Sequence, residues 1–175
     1  MAAEMNYCMQ CGIRLQKRFH ETEGREIPWC AGCGAFRYPV FNTAVSMLVM
    51  NEAKDRIILI RQYGKPTYVL VAGYVNQGED AEDAAVREVK EELGLTVTSV
   101  SFNHSHYFAR SNTLMLNFTV TVSEQDAHPN WEVDSWRWFS TEEARTNIRP
   151  GSLAKAFLEG YLDGGVYRFP TEPPI

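Results

Sequence analysis

Blocks of apolar and polar residues follow one another along this chain with two different periods. Residues 42–50 read as a strand, with a polar turn over 51–56 behind it. Residues 57–61 give a second, mostly apolar strand, Gly64-Lys65-Pro66 a turn, and 68–75 a third strand. The period then changes. Taken as a helix at about 100° per residue, 80–93 puts Val86, Val89 and Leu93 on one apolar stripe. Glu88, Glu91 and Glu92 fall on the other side, at i, i+3 and i+4. Gly94 stands just past the helix end, where a left-handed cap is common. Two long strands follow, 97–108 and 113–122, joined by Arg110-Ser111-Asn112. A further strand is predicted over 135–139 and a short helix over 141–145, with Thr141 near its start. A closing helix over 152–162 carries Leu153, Ala156, Phe157 and Leu162 on roughly one face. The order predicts an α/β fold, a mixed sheet with helices on both faces.

The first 38 residues follow neither period. They hold all four cysteines, as Cys8-x-x-Cys11 and Cys30-x-x-Cys33 with 18 residues between the pairs. That spacing fits a tetrahedral four-cysteine zinc ribbon. Gly12 and Gly34, each after the second Cys of its pair, suit a tight turn around a metal. A disulfide pair or a redox thiol is the alternative. A reducing compartment weighs against the first, and the lack of a strand-helix pattern against the second. A closed four-cysteine site has no open position, so its role is structural. Tyr38-Pro39 marks a junction, because the residue before proline avoids the helical region. The expected organisation is a ribbon over 1–38, the main domain over 39–169, and a poorly ordered tail over 170–175 with three prolines.

With 45% hydrophobic and 22% charged residues the composition is globular, and 175 residues suffice for one core plus a small appendage. No apolar run approaches the roughly 18 residues of a membrane span. The opening Met-Ala-Ala-Glu-Met-Asn lacks the basic flank and apolar stretch of a secretory signal, so a cytoplasmic protein is expected. A net charge of −5 and a pI near 5.4 argue against broad electrostatic binding of nucleic acid. Even the first forty residues, with five Lys/Arg and four Asp/Glu, are no basic patch.

The glutamate triplet carries the candidate chemistry. Like charges at i, i+3 and i+4 repel by roughly 0.2–0.5 kcal/mol per pair. A divalent cation removes that penalty, and carboxylate oxygens with substrate phosphates suit Mg2+. Alone, the triplet reads first as a solvated acidic face with Arg87 and Glu91 paired. Its flanks decide otherwise. Gly73, five residues, Glu79, seven residues, then Arg87-Glu88-Val89-Lys90-Glu91-Glu92-Leu93-Gly94-Leu95 resembles the Nudix box at every required position.

The resemblance implies a Nudix α/β/α sandwich and a Mg2+-dependent (or Mn2+-dependent) hydrolase. Water would attack a phosphorus of a nucleoside diphosphate linked to another moiety. Glu88, Glu91 and Glu92 are the expected metal ligands, Glu88 and Glu92 foremost. Arg87 and Glu79, by the same resemblance, pair and fix the loop, and Gly73 permits its turn. The base is a box glutamate such as Glu91 or an acid from elsewhere. Glu132, in Trp131-Glu132-Val133-Asp134-Ser135-Trp136, occupies the place of an acid in related NADH pyrophosphatases, as a further metal ligand or base. An exposed acid at a strand start is the plain reading of Glu132, and of Asp134.

That branch of the family also joins a four-cysteine ribbon to a Nudix domain; its larger members carry another domain before the ribbon, and none is expected here. Its signature Ser-Gln-Pro-Trp-Pro-Phe-Pro-x-Ser-Leu-Met compares with 105–115 here. Ser105 and Leu114-Met115 match; every proline is missing, His106 replaces Gln, and Phe108 stands for Trp. Tyr107 and Phe108 are candidates to stack on a base or nicotinamide ring. His104 and His106, sharing a strand face, are candidates for phosphate or ribose, and Asn112 for a polar contact. Core packing, plain surface and local turn bonding, respectively, also account for them. The expected substrate is a dinucleotide such as NADH or NAD+, with ADP-ribose, diadenosine polyphosphates or a nucleotide-capped RNA end in the same class. The resemblance also implies a homodimer. A nucleotide-sensing or RNA-binding module, with the ribbon as contact surface, is the reading from a different class.

Overall fold

A computed structural model describes residues 5–123 and 126–170; residues 1–4, 124–125 and 171–175, with most of the expected tail, lie outside it. The N-terminal segment forms a three-stranded antiparallel sheet of β1 (Gln16–His20), β2 (Arg25–Cys30) and β3 (Ala35–Phe36). Its buried apolar residues are few: Cys8, Ile27 and Cys30.

The main sheet holds β4 (Asn42–Asn51), β5 (Arg56–Gln62), β6 (Val71–Tyr74), β7 (Val97–Phe108), β8 (Thr113–Val122) and β9 (Val133–Ser140). The helices are α1 (Ala81–Leu93), α2 (Thr141–Asn147) and α3 (Leu153–Leu162). The strand order is β7-β8-β4-β5-β9, with β6 paired to β4. The sheet is mixed: β8 runs parallel to β4 along its whole length and the other pairs are antiparallel. One core fills the space between α1 and the sheet with Val45, Met47, Ile58, Ile60, Val89 and Leu93. A second, under α2 and α3, uses Leu48, Ile57, Leu59, Phe139 and Phe157. Each such side chain, fully buried, contributes roughly 1.5–3 kcal/mol. Helices thus cover both faces, as the strand and helix order predicts. Among the described residues, no helix is long and apolar enough to cross a membrane.

Two expectations need correction. The strand read over 68–75 is only Val71–Tyr74. β4 pairs its Ala44–Met47 half with β6, and its Val49 and Met50 with β5, so the pairing edge is divided. Tyr68 instead packs edge-on against Phe139. The second correction concerns α1. Val86 is 37% exposed, while Ala84 and Ala85 are buried beside Val89 and Leu93, and Glu92 is only 3% exposed. The buried stripe is turned toward the glutamates because small alanines, not valine, fit closest to the sheet. Gly94 caps the helix at φ 70°, its N–H bonding the Lys90 carbonyl, as expected.

Candidate active site

The site is built where β6 hands the chain to α1. Gly73, paired with Val45 on β4, lies directly under the Glu88 carboxylate. A Cβ at position 73 would overlap that carboxylate, so glycine makes the cradle in which Glu88 rests. Beyond it, Arg87 closes the loop onto the helix. Its Nε donates to Glu79 Oε1 at 2.7 Å and its Nη2 to Glu79 Oε2 and the Tyr74 carbonyl, both at 3.0 Å. Its Nη1 donates to Glu88 Oε1 at 2.6 Å and Glu91 Oε2 at 3.0 Å. Arg87, and then the Asn76 amide, hold the Glu79 carboxyl down at about 2. The Arg87 guanidinium is driven further up, most strongly by Glu79.

We expect Gly73→Ala to cut activity far more than stability. The Glu88 side chain can swing aside at little cost to the fold, but a carboxylate displaced by an ångström costs on the order of 10²-fold in rate. Steady-state kinetics alongside a thermal melt checks this; equal losses in both would contradict it.

The three box glutamates differ in surroundings. The Glu91 side chain is 56% exposed and that of Glu88 13%, while Glu92 is buried. Gln62 Nε2 donates to Glu92 Oε2 at 2.9 Å. Burial, reinforced by the negative charges of Glu88 and Glu132, pushes the Glu92 carboxyl up to about 8. Across the cleft Glu132 accepts a 2.8 Å hydrogen bond from the Tyr63 hydroxyl, and the Gly64 amide donates to Asp134 at 2.7 Å. The Glu132 bond raises the Tyr63 phenol to about 12. Glu88, Glu91, Glu92 and Glu132 line one cleft of about 460 Å³, with Tyr63 and Tyr74 at its edges. Asp134 is not on that wall.

The donors fit a hard divalent cation: four carboxylates of one sign, one of them buried at the cleft wall, and a glycine cradle that keeps Glu88 in place. Their oxygens are not drawn onto one point here. Arg87 spans Glu88 and Glu91 and supplies the local positive charge. Among the described residues, the group whose ligand atoms all lie within 4.8 Å of one another is Cys8, Cys11, Cys30 and Cys33. Sulfurs about 2.3 Å from a tetrahedral zinc stand about 3.8 Å apart, and a disulfide brings them to about 2.05 Å. Cys8–Cys33 at 3.9 Å and Cys11–Cys30 at 3.4 Å match the former. Arg37 Nε donates to Cys8 Sγ at 3.2 Å, and this bond brings the Cys8 thiol down to about 6, toward the thiolate that a metal needs.

The candidates on β7 sit elsewhere. His106 stacks on Phe169 at 3.8 Å and His104 on Tyr167 at 4.2 Å, so the shared face of the two histidines is covered by the chain leaving α3. His106 therefore does not line the acid cleft. The Tyr107 hydroxyl donates to Asn112 Oδ1 at 2.6 Å, its ring meets Phe41 edge-on, and Asn112 Nδ2 bonds the Val40 carbonyl. Neither lines the cleft. Phe108 lines an adjoining chamber. Sequence reasoning passes over Gln62, Tyr63 and Tyr74 as site residues, and explains Ser111 by its turn although it lines the cleft with Thr113 and Met115. Tyr74 has a signal, its place beside Gly73. Gln62 and Tyr63 have none, since they reach partners 30 and 69 residues away.

Comparison with known proteins identifies the family and its relatives. Residues 40–157 match the family model described as NUDIX domain. The NAD-capped RNA hydrolase NudC of Pseudomonas aeruginosa is 30% identical over 164 residues, 92% of this chain and 57% of that protein. The protein of the same name from Vibrio vulnificus is 28% identical over 166 residues, 93% and 61% of the two chains. This chain thus spans about three fifths of the length of these relatives. A NUDIX hydrolase from Nitrosomonas europaea superposes with a TM-score of 0.62 at 21% identity, over 91% of this chain and 94% of its own. The NUDIX domain of Shewanella oneidensis NrtR complexed with ADP ribose gives 0.56 at 14% identity, over 70% and 84%. At those identities the two structures speak for the fold.

Proposed function

The chain belongs to the NUDIX family, and from that premise we propose that it is a divalent-metal-dependent pyrophosphohydrolase. Its substrate class is a nucleoside diphosphate joined to a second moiety, a dinucleotide such as NADH or NAD+ foremost, free or as the cap of an RNA. The observation that carries this reading is the convergence of four glutamates from two separate segments on one cleft beside the Arg87-locked loop. Glu88, Glu91, Glu92 and Glu132 would hold Mg2+ or Mn2+. When bound, such an ion neutralises phosphate oxygens and lowers the pKa of a coordinated water.

The chain's own groups do the rest. Water adds to one phosphorus, the bridging P–O bond breaks toward the other phosphate, and two monophosphates leave, the two protons of the water passing to solvent or staying on the product phosphates. Glu91, the exposed acid of the box, and Glu132, steadied by Tyr63, are the two groups placed to take the water's proton. Arg87 keeps Glu88 aimed at the cleft, and Gln62 does the same for Glu92. Tyr63 and Tyr74, 61% and 59% exposed at the cleft edges, offer flat surfaces to a base or nicotinamide ring. Structural zinc in the ribbon, a homodimer and a cytoplasmic location belong to the same proposal; sedimentation of the purified chain checks the dimer.

Incubation with Mg2+ and a panel of NAD+, NADH, ADP-ribose, diadenosine polyphosphates and NAD-capped RNA, with products separated by chromatography, tests the activity. Nicotinamide mononucleotide plus AMP is the expected pair from NAD+. Tight binding of one member without any product would instead favour the sensing module.

A further inference from the structure

Beside the acid cleft lies a second chamber of about 520 Å³, and the two share Ser111 and Met115 in their walls. Its lining is of opposite character. Phe108 and Leu153, half-buried, supply apolar walls, and the exposed Arg110 and Arg149 line it as well. Among the described residues neither guanidinium has a carboxylate within ion-pair distance, whereas Arg87 and Arg145 both do. The start of α3 opens onto the same space. The Ser152 side chain accepts the Lys155 amide at 3.1 Å and the Ser152 carbonyl accepts the Ala156 amide at 3.1 Å. The amides of Leu153 and Ala154, in the first turn of a ten-residue helix, are left outside its ladder at the positive pole. Two unpaired cations and a helix start therefore face one chamber, next to a cleft whose walls are acidic.

A ribose and a neutral ring need none of that charge, and the scissile diphosphate belongs with the glutamates. We propose that the chamber receives a further phosphate, one carried on a ribose of the substrate beyond the diphosphate bridge. The preferred substrates are then dinucleotides with an extra ribose phosphate, or capped ends extended through a phosphodiester. This rests on the pyrophosphohydrolase reading of the neighbouring cleft.

Two measurements test it. The first compares kcat/KM with Mg2+ for NAD+, for NADP+ (a 2′-phosphate), and for NAD+ extended by one 3′-linked nucleotide. The second is calorimetric binding of AMP, adenosine 2′,5′-bisphosphate and adenosine 3′,5′-bisphosphate, none of which holds a diphosphate to cleave. A charge-assisted contact predicts a preference of roughly 10–100-fold for one phosphate-bearing member in each set, expressed mainly in KM. Which member wins separates the 2′ source from the 3′ source. In Arg110→Gln and Arg149→Gln the ratio between phosphate-bearing and plain compounds falls toward one. Turnover of all three substrates at similar kcat/KM, with similar binding of AMP and both bisphosphates, would overturn the inference and leave the hydrolase intact. Absence of turnover with a surviving bisphosphate preference would do the reverse. A preference that persists in both arginine variants would also overturn it.

Discussion

Glu92→Gln is expected to lower turnover by roughly 10³-fold, because losing a metal ligand removes several kcal/mol of charge stabilisation. The same change should make the metal-free protein more stable at neutral pH. An unfolded glutamate ionises near 4.5, while Glu92 in the folded chain keeps its proton up to about 8, because burial and the charges of Glu88 and Glu132 oppose ionisation. Between those values the unfolded state releases a proton that the folded state retains. Stability therefore falls as pH rises from about 4.5 to about 8, by an amount on the order of a few kcal/mol. Gln at 92 has no proton to lose and removes that decline. Glu79 works in a different window: its carboxyl, held at about 2, adds stability above 4.5 that is lost as pH falls toward 2. Melting curves of metal-free wild type and variant from pH 5 to 8 separate the two. Adding Mg2+ should raise the melting temperature of the wild type more than that of the variant. A variant that melts below wild type at pH 8 and retains a near-normal rate would take Glu92 out of the site.

Cys8→Ser should act through the fold of the ribbon. Among the described residues up to Phe36 the segment buries only the apolar Cys8, Ile27 and Cys30, while Tyr7, Met9, Ile13 and Phe19 are exposed. A metal held by the four cysteines would tie so small a core together; structural zinc supplies roughly 10–16 kcal/mol in ribbon-sized peptides. Serine replaces a buried sulfur that accepts from Arg37 and stands 3.9 Å from Cys33. The expected result is loss of one zinc per chain, early proteolysis before Tyr38, and reduced solubility, with the acid cleft retaining its chemistry in the surviving protein. Elemental analysis of protein purified without chelator decides it: wild type with no zinc would remove the ribbon metal.

Much of this architecture is legible locally. The two long strands after the box are legible to both ends, because turn residues bracket continuous β-forming runs. α1 is legible from its period and from Gly94. What local pattern cannot encode is which distant segment covers which face. Glu92 looks like part of a solvated triplet until Gln62, at the end of β5, is seen to donate to it. His104 and His106 look like free strand-face histidines until Tyr167 and Phe169 stack on them, with Gly160 leaving room for the Tyr167 ring. Tyr63 sits at φ 54°, a conformation rare for tyrosine, and nothing in its neighbours announces that its hydroxyl will hold Glu132. The parallel pairing of β4 with β8 is equally invisible, since the two strands are joined through the whole box.

Titration with Mn2+, followed by its paramagnetic signal in the presence of a nucleoside diphosphate, tests the central claim most directly. At least one ion should bind the wild-type chain, and binding should be lost when Glu88 and Glu92 are both changed to Gln. Full binding by that double variant, or none by the wild type with nucleotide present, would contradict the account.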